Sequence, residues 1–315
     1  MNAYQKLHQL ASQVTDQVIA ELLKGKAIWQ QPWGSYGLPK NYFSGRAYEG
    51  FNALYLHFLT ERRGFTAPYF LTYRQARELG GHVRKGQQGM PVVYWKVYGA
   101  KAGEENQPDA SATPEESTSR KLVPFLWTVF NIDQVVGVDF SLPEIPDRSA
   151  HQCIASCQQV VEGFPAPRPC IRFGGGQAWY APALDMVRVP ELRRFASPEA
   201  FHATLFHELV HATGHPSRLN RFSEGEQAGR FGDEAYSKEE LVAEMGASFL
   251  CAYTGIQEQV FHNSVAYLQG WVSRLRDDKT MLLYAAGKAF RAASYILGLE
   301  AASASKAPPG EKGAA

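Results

Sequence analysis

The first stretch of the chain alternates apolar and polar positions at helical spacing, which predicts an amphipathic helix over about Tyr4 to Leu23, stopped at Gly25. The pattern then dissolves into AIWQQPWGSYGLPKNYFSGRAYEGFNALYL, dense in aromatics, glycine and proline. That composition predicts loops and short strands leading into a helix from about Gly50. LTYRQARELGGHVRKGQQG predicts a short helix closed by Gly80 and Gly81, followed by a basic turn. MPVVYWKVYGA and LVPFLWTVFNIDQVVGV have the β-branched and aromatic enrichment of buried strands.

Between those strands, residues 101–120 are polar and acidic and show no apolar period. Such a segment cannot bury enough surface to order itself, which predicts a disordered insertion in a hairpin. Two prolines mark an interdomain linker over 141–150. Beyond it the pattern predicts a helix, a strand pair (CIRFGG and QAWYAPALDMVRVP) and several helices to about Leu299, then a disordered tail over 300–315. No internal repeat is present. The expected architecture is α+β in two domains, 1–140 and 151–299.

Length supports that division, since 315 residues is long for one core. No apolar run is long enough to span a membrane, and the N-terminus lacks the apolar region of a signal peptide. A cytoplasmic protein without a membrane partner is therefore expected. The four cysteines, Cys153, Cys157, Cys170 and Cys251, suit reduced structural thiols in that compartment. Charge is unevenly placed. Residues 1–98 hold 12 Lys/Arg against 5 Asp/Glu, a net +7, whereas 101–120 hold 2 against 5 and 121–315 hold 18 against 21, −3 each. A basic front and a slightly acidic rear point to two different tasks.

The rear half contains His207-Glu208-Leu209-Val210-His211, an HExxH motif. On a helix the two histidines lie one turn apart on one face, able to share a zinc ion at about 2 Å each. Glu208 is placed to accept a proton from water activated there. Ser197 is the expected cap of this helix, and Gly214 and Pro216 its end. Two ligands leave the site incomplete. His215 is two turns from His207, about 12 Å along a regular helix, too far to share one ion. Ser217 stands where a metzincin would have its third histidine. That leaves Glu240 and Glu244, one turn apart on another helix and directed inward by Leu241, Ala247 and Phe249.

The run Glu240-Leu-Val-Ala-Glu244 resembles the ExxxD helix of gluzincin metallopeptidases. By that resemblance Glu240 is the third ligand and Glu244 the carboxylate orienting His207, with Glu in place of the family's Asp leaving an exchange of roles open. Zn2+ is the expected ion, or another divalent ion such as Mn2+. Hydrolysis of a peptide bond follows as the reaction class. Tyr236, read as a loop residue, is the candidate oxyanion stabiliser, and the strand Met186–Pro190 the candidate edge for a substrate peptide.

In the front half, Trp29, Trp33, Tyr36, Tyr42, Tyr48, Phe51, Tyr73 and Trp95 interleave with Lys26, Lys40, Arg46, Arg74, Arg77, Arg84 and Lys85. Single-stranded DNA is held by such mixtures, with rings for bases and cations for phosphates. Asn41 and Asn52 join the candidate contacts, and the turn GGHVRKGQQG is a candidate phosphate cradle. The same aromatics would equally serve as core.

PWGSYGLPKNYFSGRAYEGFNALYL, TYRQARELGGHVRKGQQGMPVVYW and FNIDQV resemble the N-terminal domain of ArdC-type antirestriction proteins, which also begins certain conjugative plasmid primases. SPEAFHATLFHELVHATGHPSRLNR and YSKEELVAEMGASFL resemble their C-terminal zincin-like peptidase domain, related to SprT-like proteases. The resemblance implies single-stranded DNA binding in front, a metallopeptidase fold behind, and protection of entering plasmid or phage DNA from restriction. Its implied partners are single-stranded DNA and a protein substrate. Two alternatives remain open here: a non-proteolytic DNA-coating protein with a structural metal, and a peptidase acting on a repressor.

Overall fold

The computed structural model describes residues 1–30, 36–98, 108–109, 121–144, 148–222, 234–256 and 265–299. Helix α1 (Ala3–Leu22) starts on a reciprocal cap in which Gln5 N donates to Asn2 Oδ1 at 2.8 Å and Asn2 N to Gln5 Oε1 at 2.9 Å. Its apolar stripe buries Leu7, Leu10, Val14, Val18 and Leu22. A single 3-10 turn, Ile28–Gln30, then carries Trp29 into the core, where it is 1% exposed.

The front half continues through β1 (Lys40–Asn41), α2 (Gly50–Arg63), β2 (Tyr69–Thr72), α3 (Tyr73–Glu78), β3 (His82–Val83), β4 (Met90–Tyr98), β5 (Pro108–Asp109), β6 (Lys121–Asn131) and β7 (Val135–Val136). Five of these strands form one sheet in the order β1-β2-β6-β4-β5. Strands β4 and β6 pair antiparallel from Met90 opposite Val129 to Tyr98 opposite Lys121. Pro108 and Asp109, inside the acidic insertion, pair with Lys96 and Trp95 and so extend the sheet. The rest of that insertion and the 300–315 tail lie outside the described residues.

The rear half comprises α4 (Ala150–Glu162), β8 (Cys170–Phe173), β9 (Trp179–Ala181), β10 (Met186–Val189), α5 (Pro198–Thr213), α6 (Glu234–Thr254), α7 (Val265–Asp277) and α8 (Met281–Ile296). Its sheet order is β8-β10-β9, with β10 parallel to β8 and antiparallel to β9. This corrects the expectation for Met186–Pro190: β10 is central, both of its edges are already paired, and it has no free edge for a substrate strand. Cys153, Cys157 and Cys251 are buried free thiols, and Cys170 is an exposed one.

One hydrophobic core runs through both halves. Helix α1 packs on α7 and α8, and α2 packs on α8. Thr15 Oγ1 donates to Lys279 O at 2.8 Å across that junction. Helices α5, α6 and α8 pack together, and their closest approach needs Gly246: a Cβ there would stand 2.8 Å from Val210 and 3.4 Å from the Ala289 carbonyl. That glycine lets α6 lie against the HExxH helix. No helix among the described residues is long and apolar enough to cross a membrane.

Candidate metal centre

Helix α5 is buried on nearly every face, unlike a surface helix with one apolar stripe. Ser197 Oγ accepts from Ala200 N at 3.0 Å and Pro198 occupies the first turn, so the helix start is fixed. His207 and His211 follow on one face, with Nε2 atoms 3.1 Å apart.

Helix α6 supplies the third donor. Glu240 Oε2 lies 3.5 Å from His207 Nε2, and its Oε1 lies 3.4 Å from His211 Nε2. One donor atom from each of His207, His211 and Glu240 falls within 4.8 Å of the others. Four donors around zinc at about 2.0–2.1 Å stand about 3.3–3.4 Å apart along the edges of a tetrahedron. The three donor separations match that figure, so the residues fit a divalent ion.

The electrostatics are those of a closed acidic pocket around imidazoles. Burial opposes ionisation of Glu240, but hydrogen bonding and charge from His207 and His211 outweigh it and hold the carboxyl well below the usual range. Burial opposes charge on His211 as well, yet Glu239 and Glu240 raise its pKa to about 10. Glu208 is 6% exposed, and burial first of all raises its proton affinity, with Glu240 adding and the two histidines opposing.

Glu244 occupies a different environment from the one expected of it. Its Oε2 accepts from Trp29 Nε1 at 2.6 Å and from Tyr267 Oη at 2.5 Å. Trp271 closes the same box, with ring centroids 5.7 Å from Trp29 and 6.2 Å from Tyr267. Burial raises the Glu244 pKa to about 8. The carboxylate that reaches the outer nitrogen of a metal-facing histidine is instead Glu239, whose Oε1 lies 3.4 Å from His211 Nδ1. Arg221 fixes Glu239 at 2.7 and 3.1 Å, and also donates to Thr213 Oγ1 at 2.6 Å and Val210 O at 2.7 Å. No spacing signal pairs Glu239 with Arg221, because the contact depends on how α5 ends. His215 bonds Ser217 Oγ at 2.7 Å at that end, apart from the three donors. Tyr236 lies in the first turn of α6, not on a loop, and its side chain is outside the described residues.

The front-half candidates divide by burial. Trp29, Tyr48 and Asn52 are 1%, 4% and 2% exposed and are corrected from DNA contacts to core residues. Trp29 serves Glu244, and Tyr48 packs edge-on to Phe70. Asn52 caps the free side of β4, donating to Val93 O at 2.7 Å and accepting from Val93 N at 2.8 Å. Phe51 and Trp95 are core as well. Lys40, Asn41 and Tyr42 are half-buried. Asn41 is used within its turn, accepting from Ser44 N at 2.9 Å and donating to Gln75 Oε1 at 3.0 Å. Tyr42 meets Phe140 edge-on at 4.8 Å between centroids. Arg46, Tyr73, Arg74, Arg84 and Lys85 are exposed, Arg74 pairing with Glu78 at 2.8 Å and Arg84 with the Asp133 carbonyl. Trp33 lies outside the described residues.

Comparison with known proteins adds to this geometry. Residues 8–130 match the family described as the N-terminal domain of anti-restriction factor ArdC, and residues 161–288 that of zincin-like metallopeptidases. The uncharacterised protein y4eC of Sinorhizobium fredii is 33% identical over 287 residues, 90% of either chain. DNA primase TraC of Escherichia coli is 34% identical over 301 residues, 91% of this chain but only 27% of the primase. Crystal structures of the antirestriction protein ArdC from plasmid R388, metal-free and Mn(II)-bound, both superpose with TM-score 0.67 at 33% identity, over 93% of this chain and 97% and 98% of theirs. With a relative alike over nearly its whole length and a solved antirestriction protein covered end to end, this chain belongs to the ArdC antirestriction family.

Proposed function

We propose that this protein binds single-stranded DNA and carries a metal-dependent peptidase site, protecting entering plasmid or phage DNA from restriction. The observation that supports the enzymatic part most is the triangle of His207, His211 and Glu240 donors, 3.1 to 3.5 Å apart, with the buried Glu208 carboxyl next to His207 on the same helix. A divalent ion held there, Zn2+ or Mn2+, supplies Lewis-acid chemistry that polarises a carbonyl and makes water acidic near neutral pH.

Glu208 supplies the proton transfer. Burial strengthens its affinity for a proton, so its carboxylate takes one from the attacking water as the new C–O bond forms. It returns that proton to the amide nitrogen as the C–N bond breaks, leaving a carboxylic acid and an amine. Glu239, held by Arg221, keeps the His211 ring from turning. Tyr236 is retained as the candidate for oxyanion stabilisation. Family membership and the +7 charge of residues 1–98 support the DNA-binding part. Tethering the peptidase to a strand raises its local concentration over proteins on that strand.

The test is incubation of the full chain with a DNA-bound protein, with and without single-stranded DNA, comparing wild type with Glu208→Gln. DNA-stimulated cleavage by the wild type and none by the variant is expected, with DNA and metal binding equal in both. Undiminished protection of DNA in cells by Glu208→Gln assigns protection to coating and overturns the peptidase part.

A further inference from the structure

With Trp29, Tyr48, Phe51 and Trp95 in the core, the rings on which bases would stack must come from elsewhere. Strand β6 supplies them. Phe125 and Trp127 are 41% and 36% exposed and, two residues apart on a strand, share one face. The intervening Leu126 is half-buried and Pro124 buried, on the face they share with Val93 and Trp95. Tyr94 stands directly across from Phe125, and Lys96, two residues on, faces the same side. Arg46 and Glu49 both lie near enough to act on the Tyr94 hydroxyl.

On this face Met90, Val92 and Val129 are buried and Tyr94 is half-buried against the core, so the rings it exposes are Phe125 and Trp127. Strand β2 pairs with β6 only from Thr72 opposite Val129 to Phe70 opposite Asn131, then turns into α3. Phe125 and Trp127 therefore have β4 on one side and, among the described residues, no strand on the other.

We propose that Trp127 and Phe125, with the half-buried Tyr94 beside them, form the platform on which bases of single-stranded DNA stack; this rests on the DNA-binding reading above and assigns it a surface. Spacing agrees with that occupant. Rings at alternate strand positions are about 6.8 Å apart, two steps of the about 3.4 Å rise per nucleotide of a stacked strand. So does the charge nearby, because Lys96 faces the same side and Arg46 lies close to Tyr94, cations complementary to a phosphate backbone.

The experiment measures affinity of the full chain for a labelled oligothymidylate by fluorescence anisotropy across a salt series, with sedimentation of the same samples. Phe125→Ala with Trp127→Ala is expected to weaken binding by about tenfold or more for each ring, leaving the slope of affinity against salt unchanged. Phe125→Tyr with Trp127→Phe, which keeps flat faces, restores most of it, and this separates lost stacking from lost fold. Wild-type affinity in the alanine pair overturns the surface while leaving the DNA-binding reading standing. A wild type that binds no oligonucleotide overturns both. A dimer that dissociates in the alanine pair, with DNA affinity unchanged, makes the face a self-association surface and overturns the proposal.

Discussion

Trp29 donates its indole N–H to Glu244 Oε2 at 2.6 Å, tying the segment after α1 to the helix that carries Glu240. Both residues are buried, and the ring also packs on Trp271. Removing it empties a large site and strips a donor from a buried carboxyl. Trp29→Ala is expected to cost about 3–5 kcal/mol, and Trp29→Phe about 1–3 kcal/mol, in urea denaturation. A cost below about 1 kcal/mol for the alanine variant would show that the junction is not structural.

Glu244 links stability to alkaline pH. Burial raises its pKa to about 8, although Tyr267 and Trp29 pull it down. The folded chain therefore keeps a proton that the unfolded chain releases near the ordinary carboxyl value of 4.5. This contribution to stability is complete below pH 4.5 and is lost as pH rises towards 8. Glu244→Gln, neutral at every pH, should gain on the wild type across that window at up to about 1.4 kcal/mol per pH unit. Parallel stability curves for the two proteins would contradict the protonated carboxyl.

His57 acts at the acid end. Burial lowers its pKa from 6.5 to about 4, so the unfolded chain binds a proton that the folded chain refuses. Above pH 6.5 neither state carries that proton, and stability is lost as pH falls from 6.5 to 4, by about 3 kcal/mol in all. His57→Gln should flatten that limb of the denaturation profile. The same acid loss in the variant would place its origin elsewhere.

Glu239 holds His211 from the side away from the other donors and is itself held by Arg221. Such supporting carboxylates typically change metal affinity about 10–100-fold. Glu239→Gln preserves size and an acceptor for Arg221, so the fold should survive while the dissociation constant for Zn2+ or Mn2+ rises by that factor. Calorimetric titration reads it directly, and an unchanged constant would reduce Glu239 to a partner of Arg221.

The parts of this fold visible in the sequence are those where chemistry dictates spacing. HExxH puts two imidazoles on one helical face, and Glu240 and Glu244 one turn apart on the next helix narrow the third donor to two. Which of the two faces the histidines is decided by the rotation of α6, which Gly246 and the Trp29–Tyr267 box set through contacts from distant helices. Gly64, in the left-handed region, ends α2 where a C-terminal glycine should. The aromatics were less legible, because a ring in the core and a ring under a base have the same composition. Trp29 and Trp95 are separated from Trp127 only by what packs on them. Strand β10 read as an edge because β9, three residues long, is too short to show a period.

Metal stoichiometry on purified protein tests the centre itself. The wild type should take up one equivalent of Zn2+ or Mn2+, Glu244→Gln should take up the same, and His207→Ala and Glu240→Ala should each lose it. One equivalent still bound after His207 and His211 are both replaced would contradict the account.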